Sequence, residues 1–460
     1  MQLDNLRHVY FIGIGGIGMS AIARYFRGLG VQVSGYDKTQ TVLTDEMMAE
    51  GIRIHFEDAE NLVPEEADLV VYTPAIPADH KGLNLVRNRK MPLMKRAEVL
   101  GLISRSRYCI AIAGTHGKTT TSTLTAFLLR ECGLDPSAFL GGIAVDYHSN
   151  YLSGKSDIVV LEADEFDRSF LHLSPDVAAI LSMDADHLDI YGDHTEMLKG
   201  FADFAKKIKP GGLLLIRQGL LANFTREDKA YLESRSVRIL EFGNQASNIY
   251  TSSLRVEDHR FAFDLTVDKH VYPGWYCNLP GRHNVENASV AIAIGLKTGA
   301  SVEVMMEALG RFSGIKRRFE FIVKTENLVF IDDYAHHPTE LEAAIDGVRM
   351  LYPGKKITGI FQPHLYSRTR DFYEGFARAL DKLDEVILMD IYPARELPIE
   401  GVTSGMIFQA MSNKNKRLVT KDTVVDAIDW QNLEVLVTLG AGDIDTFVPK
   451  IKEKLITRNT

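Results

Sequence analysis

The chain has 460 residues, 45% of them hydrophobic and 25% charged, and a formal net charge of −9 at pH 7. This length predicts two or three domains, and this composition is typical of a globular protein with ordinary cores. The negative balance argues against nonspecific nucleic-acid binding, which needs a broad cationic surface, but helix N-termini can still create local sites for small anions.

The cysteines and the hydrophobic pattern predict where the protein works. Cys109, Cys132 and Cys277 form no C-x-x-C pair and have no metal-like spacing, which favours a reducing compartment. We expect Cys109 and Cys132 to pack in the core. The first ten residues lack the apolar run of a signal peptide, and no apolar stretch approaches the roughly 20 residues that span a bilayer. We therefore expect a cytoplasmic protein.

The first predicted domain covers residues 1–107 and has a βαβ rhythm. Apolar runs at Val9–Ile14, Val31–Tyr36 and Asp68–Tyr72 alternate with helical patterns such as Met19–Leu29. This alternation predicts a parallel sheet covered by helices, so we expect a Rossmann-like N-terminal domain.

A glycine-rich motif directly follows the first predicted strand. Residues 13–18 read G-I-G-G-I-G, and Asp37 ends the second strand. In dinucleotide-binding folds such glycines allow a tight turn against a pyrophosphate, and the carboxylate binds a ribose. Gly13, Gly15, Gly16 and Gly18 are therefore candidates for a phosphate site. A purely structural turn is the alternative, and the pattern does not distinguish NAD from another nucleotide diphosphate.

A second phosphate motif opens the second predicted domain, residues 108–314. The buried-strand run Tyr108–Ala113 leads into G-T-H-G-K-T-T and then the helical pattern Thr119–Glu131. Loop amides of this kind cradle phosphates, with a lysine on the β- and γ-phosphate oxygens and a threonine on Mg²⁺. The full P-loop pattern needs a glycine where Ile112 stands, so the match is the shorter form. The candidate ATP-binding residues are Gly114, Thr115, His116, Gly117, Lys118, Thr119 and Thr120.

The presence of two phosphate loops excludes an ordinary dehydrogenase, which has no use for the second. We expect the second domain to be a central ATPase domain of the P-loop type. Its later strand candidates are Asp157–Leu161 and Val177–Met183, and alternation over residues 250–272 indicates some antiparallel or mixed sheet.

The third predicted domain covers residues 315–460 and again alternates strands with helices, which predicts a Rossmann-like C-terminal domain. Pro338 opens a helix over Thr339–Met350, as suits a residue without an N–H group. The expected strands are Leu328–Ile331, Ile357–Phe361, Glu385–Met389 and Glu434–Leu439. The other expected helices are Asp371–Leu383 and Asp445–Ile456.

Several short motifs, in this order and spacing, resemble those of the Mur ligases, ATP-dependent amide-forming enzymes of peptidoglycan assembly. They are G-I-G-G-I-G-M-S at Gly13–Ser20, G-T-H-G-K-T at Gly114–Thr119, E-A-D-E at Glu162–Glu165, D-H-L-D at Asp186–Asp189, H-N-x-x-N at His283–Asn287, R-R-F at Arg317–Phe319, and D-D-Y-A-H-H-P-T-E at Asp332–Glu340. The resemblance covers all three domains. It implies that they bind a UDP-sugar, ATP and an amino acid, in that order.

His116 indicates the alanine-adding branch of this family or its recycling relative, and the wording of the first loop favours the alanine-adding branch. The resemblance then implies ATP-dependent ligation of L-alanine to UDP-N-acetylmuramate through an acyl phosphate, with Mg²⁺ or alternatively Mn²⁺. Two other functions stay open: a recycling ligase that joins a murein peptide to the same sugar acid, and a nucleotide-binding regulatory module that hydrolyses no ATP.

The resemblance also implies the metal and sugar contacts. Glu162, at the end of a strand beside the second loop, would hold Mg²⁺ with Thr119, and His187 would bind a second metal. A surface carboxylate and a structural histidine are the alternatives, and imidazole suits Mn²⁺ or Zn²⁺ better than Mg²⁺. Ser20 and Asp37 join the first-loop glycines as UDP-sugar contacts.

For ATP, the resemblance places the base near His283, Asn284 and Asn287, with Asn287 the favoured contact and helix capping by Asn284 a competing explanation. Within Lys316-Arg317-Arg318, at the boundary of the second and third domains, either Arg317 or Arg318 would stabilise the transferring phosphoryl group. A solvated surface charge run is the alternative. With Lys118, both arginines are catalytic candidates.

In the third domain, the resemblance assigns the ribose of ATP to Asp333 and the amino-acid site to Tyr334 and His336, the latter also a catalytic candidate. Arg368 and Arg370 follow a neighbouring strand with His364, and an arginine fork matches an α-carboxylate. A pair of surface arginines is the alternative.

Overall fold

The computed structural model describes residues 3–184, 191, 193–279, 281–394 and 396–459. The fold is α/β, with three mainly parallel sheets of five, ten and six strands. One sheet lies in each of the three domains that the sequence predicts. No helix within the described residues is both long and apolar enough to cross a membrane.

The first sheet is Rossmann-like. All of its strands are parallel, in the order β3-β2-β1-β4-β5. Its strands are β1 (His8–Ile12), β2 (Gln32–Tyr36), β3 (Arg53–His55), β4 (Leu69–Tyr72) and β5 (Leu93–Lys95), and its helices are α1 (Ile17–Gly28), α2 (Val42–Ala49), α3 (Lys81–Asn88) and α4 (Arg96–Ser106).

The second sheet has the order β15-β14-β13-β12-β11-β10-β6-β9-β7-β8, and β6 pairs in parallel with β9 and β10. The strands are β6 (Tyr108–Ala113), β7 (Ser137–Ala144), β8 (Ser149–Leu152), β9 (Ile158–Ala163), β10 (Val177–Ile180), β11 (Leu213–Arg217), β12 (Arg238–Gly243), β13 (Ile249–Glu257), β14 (Arg260–Val267) and β15 (His270–Cys277). The helices are α5 (Lys118–Glu131), α6 (His194–Ala205), α7 (Arg226–Ser234), α8 (Arg282–Lys297) and α9 (Val302–Arg311).

The third sheet has the order β16-β17-β21-β18-β19-β20, and only its edge strand β16 is antiparallel to its neighbour. The strands are β16 (Glu320–Lys324), β17 (Val329–Asp333), β18 (Ile357–Phe361), β19 (Glu385–Met389), β20 (Lys416–Val419) and β21 (Val435–Leu439). The helices are α10 (Pro338–Leu351), α11 (Tyr366–Leu380), α12 (Ser404–Ala410) and α13 (Val448–Asn459).

The predicted elements are present, but several begin or end elsewhere. Helix α11 begins at Tyr366 instead of Asp371, and α8 begins at Arg282, ahead of its apolar stretch. Both helices have polar first turns, which a hydrophobic pattern does not detect. Because Asn284 lies inside α8, the capping role considered for it is wrong. Cys109 is buried as expected, whereas Cys132 is only half-buried at the end of α5.

By its internal contacts the chain divides into two compact units. The first comprises residues 1–252, 264–275 and 286–312, and the second comprises residues 253–263, 276–285 and 313–460. The first unit therefore contains the whole first sheet and most of the second, while the second unit contains the third sheet. The domain boundaries at 107/108 and 314/315 remain predictions.

Within the first unit, helix α1 packs on the β7–β8 hairpin. The ring of Tyr25 lies 5.3 Å from that of Phe139 and 6.4 Å from that of Tyr151. The Asn150 side chain, fully buried, donates to the Ser20 hydroxyl at 3.2 Å and accepts from Arg24 at 3.2 Å. These contacts attach α1, the helix after the first glycine loop, to the second sheet, which carries the second glycine loop.

Two glycines in helices provide a test of how closely α4 packs against the backbone at His172. A Cβ at Gly101 in α4 would lie 2.6 Å from the carbonyl oxygen of His172, whereas a Cβ at Gly310 in α9 meets nothing within 4 Å. We expect Gly101→Ala to lower the free energy of unfolding by about 1–3 kcal/mol through overpacking. Gly310→Ala, the matched control, should raise it by about 0.5–1 kcal/mol, because alanine favours the helix. Denaturant titration measures both, and equal effects would contradict the packing described.

Candidate active site

The first glycine loop adopts the turn that a phosphate site requires. Gly13 has φ +87°, and its amide donates to the carbonyl of Tyr36 at 2.8 Å. Gly16 precedes α1 without any side-chain cap, so the amides of the first helical turn have no side-chain acceptor at that position. The first amides of a helix lack intrahelical partners and favour an anion. The geometry is therefore suited to a diphosphate.

Two of the predicted sugar contacts have internal partners. The Asp37 carboxylate accepts from the amide of Gly15 at 2.7 Å and from that of Thr39 at 3.2 Å, so it organises the glycine loop itself. The Ser20 hydroxyl is fully buried and donates to the carbonyl of Ile17 at 2.9 Å. Their roles as ligand contacts remain predictions.

An arginine that sequence reasoning missed lies on the first loop. A Cβ at Gly18 would lie 2.2 Å from a guanidinium nitrogen of Arg96, so this side chain packs directly against the start of α1. Its guanidinium is also 3.6 Å from the carboxylate of Asp164. Arg96 follows β5 at the carboxyl edge of a parallel sheet, a position where ligands commonly bind, and that position was the available signal.

The second loop has the strand–loop–helix geometry that its sequence predicts. Gly114 and Gly117 have φ values of +136° and +83°, and Gly117 immediately precedes α5. A Cβ at Gly117 would lie 2.8 Å from the Asn287 side-chain oxygen, so the structure brings Asn287 onto the loop. Thr119 and Thr120 begin the helix, next to Lys118.

Ser182 supports this loop and had no sequence signal of its own. Its hydroxyl lies 2.9 Å from the Thr115 hydroxyl and accepts from the amide of His116 at 2.8 Å. The His116 ring lies 3.6 Å from the carboxylate of Asp184. Ser182 follows β10, which pairs with β6, and only the sheet order makes the two neighbours.

The Lys118 ammonium lies among the carboxylates of the E-A-D-E motif. It donates to both oxygens of Glu165, at 2.9 and 2.7 Å, and to the carbonyl of Gly114 at 2.7 Å. Burial alone would lower the pKa of Lys118, but the negative charges of Glu165, Asp164 and Glu162 outweigh burial and raise the pKa. The lysine and Glu162 therefore converge on one region, as the sequence predicts.

Glu162 is held beside the loop by its strand. It lies in β9 opposite Ile112 of β6, and its carboxylate accepts from the amide of Gly141 at 3.0 Å. A Cβ at Gly141 would approach the carboxylate oxygens to 2.4 Å, so a side chain there would displace the Glu162 carboxylate. Thr119 and Glu162 are oxygen donors, which Mg²⁺ prefers, and Mg²⁺ commonly takes one or two carboxylates together with substrate phosphates. The donor set fits such an ion.

The second predicted metal ligand is not tested. His187 lies outside the described residues. Within the part of the chain that is described, no group of three or more His, Cys, Asp and Glu side chains could hold a metal ion on its own.

The candidate residues of the third sheet follow the carboxyl ends of adjacent parallel strands β17, β21 and β18. Asp333 ends β17 and accepts from the amides of Phe319 and Ala335, each at 2.7 Å. Burial raises the pKa of Asp333 to about 7, although the nearby Arg318 opposes this shift. Ligands bind at this edge in open α/β sheets.

The structure distinguishes the two arginines that the sequence left open. Arg317 donates to the carbonyl of Gly440 at 2.7 Å and lies 3.2 Å from Asp445 and 3.4 Å from Asp332. The side chain of Arg318 forms no hydrogen bond or ion pair among the described residues, and its guanidinium lies 5.2 Å from the Tyr334 ring centre. Arg317 is thus used within the fold, and Arg318 retains its donors for a ligand.

Two histidines meet beside Tyr334. His336 donates from Nδ1 to the Tyr334 carbonyl at 2.9 Å, and its ring lies 5.9 Å from that of His364. His364 stacks on Tyr392 at 5.9 Å, and its Nδ1 is buried without a hydrogen-bond partner among the described atoms. Burial lowers the pKa of both histidines, and that of His364 to about 4.

Arg368 and Arg370 do not face the same site. Because α11 already begins at Tyr366, residues two apart lie on nearly opposite faces of the helix. Arg368 is close enough to His336 and His364 to lower the pKa of each further. Arg370 pairs with its neighbour Asp371 at 2.7 Å, and its side chain is 53% exposed. Only Arg368 joins the cluster.

Comparison with known families matches most of the chain. Residues 8–108 match the family described as "Mur ligase family, catalytic domain". Residues 112–295 match "Mur ligase middle domain", and residues 317–443 match "Mur ligase, glutamate ligase domain".

Curated relatives are similar over their full length. A Christiangramia forsetii protein named UDP-N-acetylmuramate–L-alanine ligase is 47% identical over 461 residues, covering 99% of both chains. A Porphyromonas gingivalis protein of the same name is 48% identical over 459 residues, covering 98% of this chain and 100% of that one.

Solved structures have the same architecture. The UDP-N-acetylmuramate–alanine ligase of Thermotoga maritima matches with a TM-score of 0.80 and 27% identity, over 98% of this chain and 99% of that one. A murein peptide ligase of Psychrobacter arcticus matches with a TM-score of 0.67 and 22% identity, over 98% of both chains, which shows a shared fold.

The depressed pKa of His364 predicts an acid-side loss of stability. Between about pH 4 and 6.5 the unfolded chain binds a proton at this histidine and the folded chain does not, so stability falls as pH is lowered through that window. We expect a histidine NMR resonance that titrates near pH 4 and is absent in His364→Gln. The variant should also lose less thermal stability than the parent on acidification. A resonance titrating near pH 6.5 would contradict this environment.

Proposed function

The chain belongs to the Mur ligase family, and we propose that it joins L-alanine to UDP-N-acetylmuramate with ATP as co-substrate, in the synthesis of peptidoglycan precursors. The observation that carries the proposal is the convergence of Lys118 and Glu162 at the strand–loop–helix junction of the second glycine loop, where β6 pairs with β9. Full-length identity of 47–48% to relatives that bear this ligase name supports the choice of substrates.

The reaction needs an activated carboxylate. A carboxylate does not condense with an amine in water, whereas an acyl phosphate carries a good leaving group. The amine then attacks through a tetrahedral intermediate and phosphate leaves. Both steps concentrate negative charge, so cations and oriented donors supply most of the catalysis.

We assign the phosphate contacts to the second loop. Its amides and Lys118 bind the β- and γ-phosphate groups, and Asn287, which lies on Gly117, contacts the base. Arg318 stabilises the transferring phosphoryl group, since Arg317 is already bonded within the fold. Thr119 and Glu162 would hold Mg²⁺, which would supply positive charge to the phosphates. His187 as a further metal ligand, and Asp333 as the ribose contact, remain part of the proposal.

The other two substrates bind at the remaining sites. The first glycine loop, with Arg96 on Gly18, binds the diphosphate of the UDP-sugar. Tyr334, His336 and Arg368 receive the amino acid, and Arg368 supplies the cation for its α-carboxylate. Because UDP-sugars and ATP are made inside the cell, we infer that the enzyme works in the cytoplasm.

Two alternative functions have less support. A recycling ligase acts on the same sugar acid, but the similarity to a murein peptide ligase is lower, at 22% identity, than to the alanine ligases. A regulatory module without ATP hydrolysis would have no use for the carboxylates gathered around Lys118.

The substrate assignment predicts a strict requirement. We expect phosphate release from ATP only when UDP-N-acetylmuramate and L-alanine are both present, because the acyl phosphate needs its acid and turnover needs its amine. A coupled phosphate assay that leaves out one substrate at a time measures this. Steady turnover with a murein peptide but not with alanine would favour the recycling ligase.

The variant Lys118→Ala tests the role assigned to the lysine of the second loop. Removal of the ammonium should abolish phosphate release, while UDP-sugar binding, measured by calorimetry, should stay close to that of the parent. Retained turnover would contradict the role assigned to Lys118.

Alanine substitutions of the two arginines should affect different properties of the protein. We expect Arg318→Ala to reduce kcat at least about 100-fold with little change in melting temperature, because we assign its donors to the phosphoryl group and its side chain holds no other part of the fold. Arg317→Ala should lower the melting temperature by several degrees, because it leaves Asp332 buried without its cation. Steady-state kinetics with thermal unfolding separates them, and a stable, fully active Arg318 variant would refute the assignment.

A further inference from the structure

The hydrogen bonds of the Lys118 ammonium occupy all of its donors. A protonated lysine has three N–H donors. Here two are directed at the carboxylate oxygens of Glu165 and one at the carbonyl of Gly114. The ammonium that should bind phosphate therefore has no donor left for it.

Glu165 differs from the other acidic residues near the loop. Its side chain is 1% exposed, whereas that of Asp164 is 38% exposed and is partnered by Arg96. The backbone carbonyl of Glu165 accepts from the Tyr191 hydroxyl at 2.7 Å, which fixes the residue from the other side. Glu165 is thus a built-in partner of the lysine, and not a mobile surface charge.

A phosphate oxygen and a carboxylate oxygen are equivalent acceptors for a lysine. Both are anionic, and charge-assisted hydrogen bonds to either are about twice as strong as neutral ones. A triphosphate that reaches Lys118 must therefore replace at least one of its bonds to Glu165.

We propose that Glu165 is a positioning residue that holds Lys118 in the nucleotide-free site and is exchanged for a phosphate oxygen when ATP binds. This inference rests on the proposed function, because it needs Lys118 to contact the β- and γ-phosphates. The exchange keeps the buried ammonium neutralised at every stage, so neither state contains an isolated buried cation.

The exchange has a selective consequence for affinity. Nucleotides whose phosphates reach Lys118 compete with Glu165 and bind more weakly than the loop alone would allow. ATP and ADP belong to this group, whereas AMP lacks the phosphates that reach the lysine. A weaker acceptor at position 165 should therefore increase the affinity for ATP and ADP and leave the affinity for AMP unchanged.

The test is nucleotide binding to Glu165→Gln, measured by calorimetry without divalent metal. We expect the dissociation constants of ATP and ADP to fall about tenfold, because a neutral amide competes less well than a carboxylate, and that of AMP to stay unchanged. In steady-state assays the KM for ATP should fall while kcat does not rise.

Asp164→Asn is the matched control, because it removes the same charge from the adjacent position without touching Lys118. It should change the affinities for ATP and ADP less than about threefold, as expected for a partly exposed charge. In a Lys118→Met background, Glu165→Gln should have no further effect on ATP affinity, since the pair is already broken.

The unmodified protein provides a second measurement if the variant fails to fold. A structure with ADP bound should have at least one Lys118–Glu165 contact longer than hydrogen-bond distance. Two intact contacts, or equal tightening by Glu165→Gln and Asp164→Asn, would overturn the inference. Failure of the unmodified protein to bind or turn over ATP would instead refute the proposed function.

Discussion

The parallel pairing of β6 with β9 and β10 is the constraint on which the nucleotide site depends. Parallel strands end at the same edge of a sheet, so the loop after β6, Glu162 at the end of β9 and Ser182 after β10 must meet. The loop then needs only two glycines with positive φ to turn its amides inward. A local sequence motif becomes a site because its neighbours in the sheet supply the charges.

The same constraint operates in the third sheet, with a different outcome. Asp333, the Gly440 segment and His364 follow three adjacent strands, and Arg317 bonds to the carbonyl of Gly440 and lies beside Asp332. One arginine is thereby used to hold the strand ends together and the next one remains available. The two adjacent arginines differ because only the Arg317 side chain bonds to the strand ends.

Local electrostatics, and not net charge, governs both sites. A chain with a net charge of −9 binds anionic substrates because helix starts and single cations act at short range, where screening is weak. The Lys118–Glu165 pair follows from the same balance: a buried ammonium needs a counter-ion before the nucleotide arrives. Phosphate then binds Lys118 by replacing the Glu165 carboxylate, and not by meeting an unpaired ammonium.

The sequence alone determined the fold class, the two glycine loops and most of the candidate residues, because strand and helix periodicities, glycine spacing and family motifs are local. Only the tertiary structure decided how neighbouring arginines are placed. Arg317 bonds within the fold and the Arg318 side chain does not, and Arg368, but not Arg370, lies near His336 and His364, since the true start of α11 sets their faces. Sequence reasoning did not single out Arg96, Ser182 and Glu165 for the same reason. Their partners are distant in sequence, and the order of strands in a sheet, which brings them together, is not written in any local pattern.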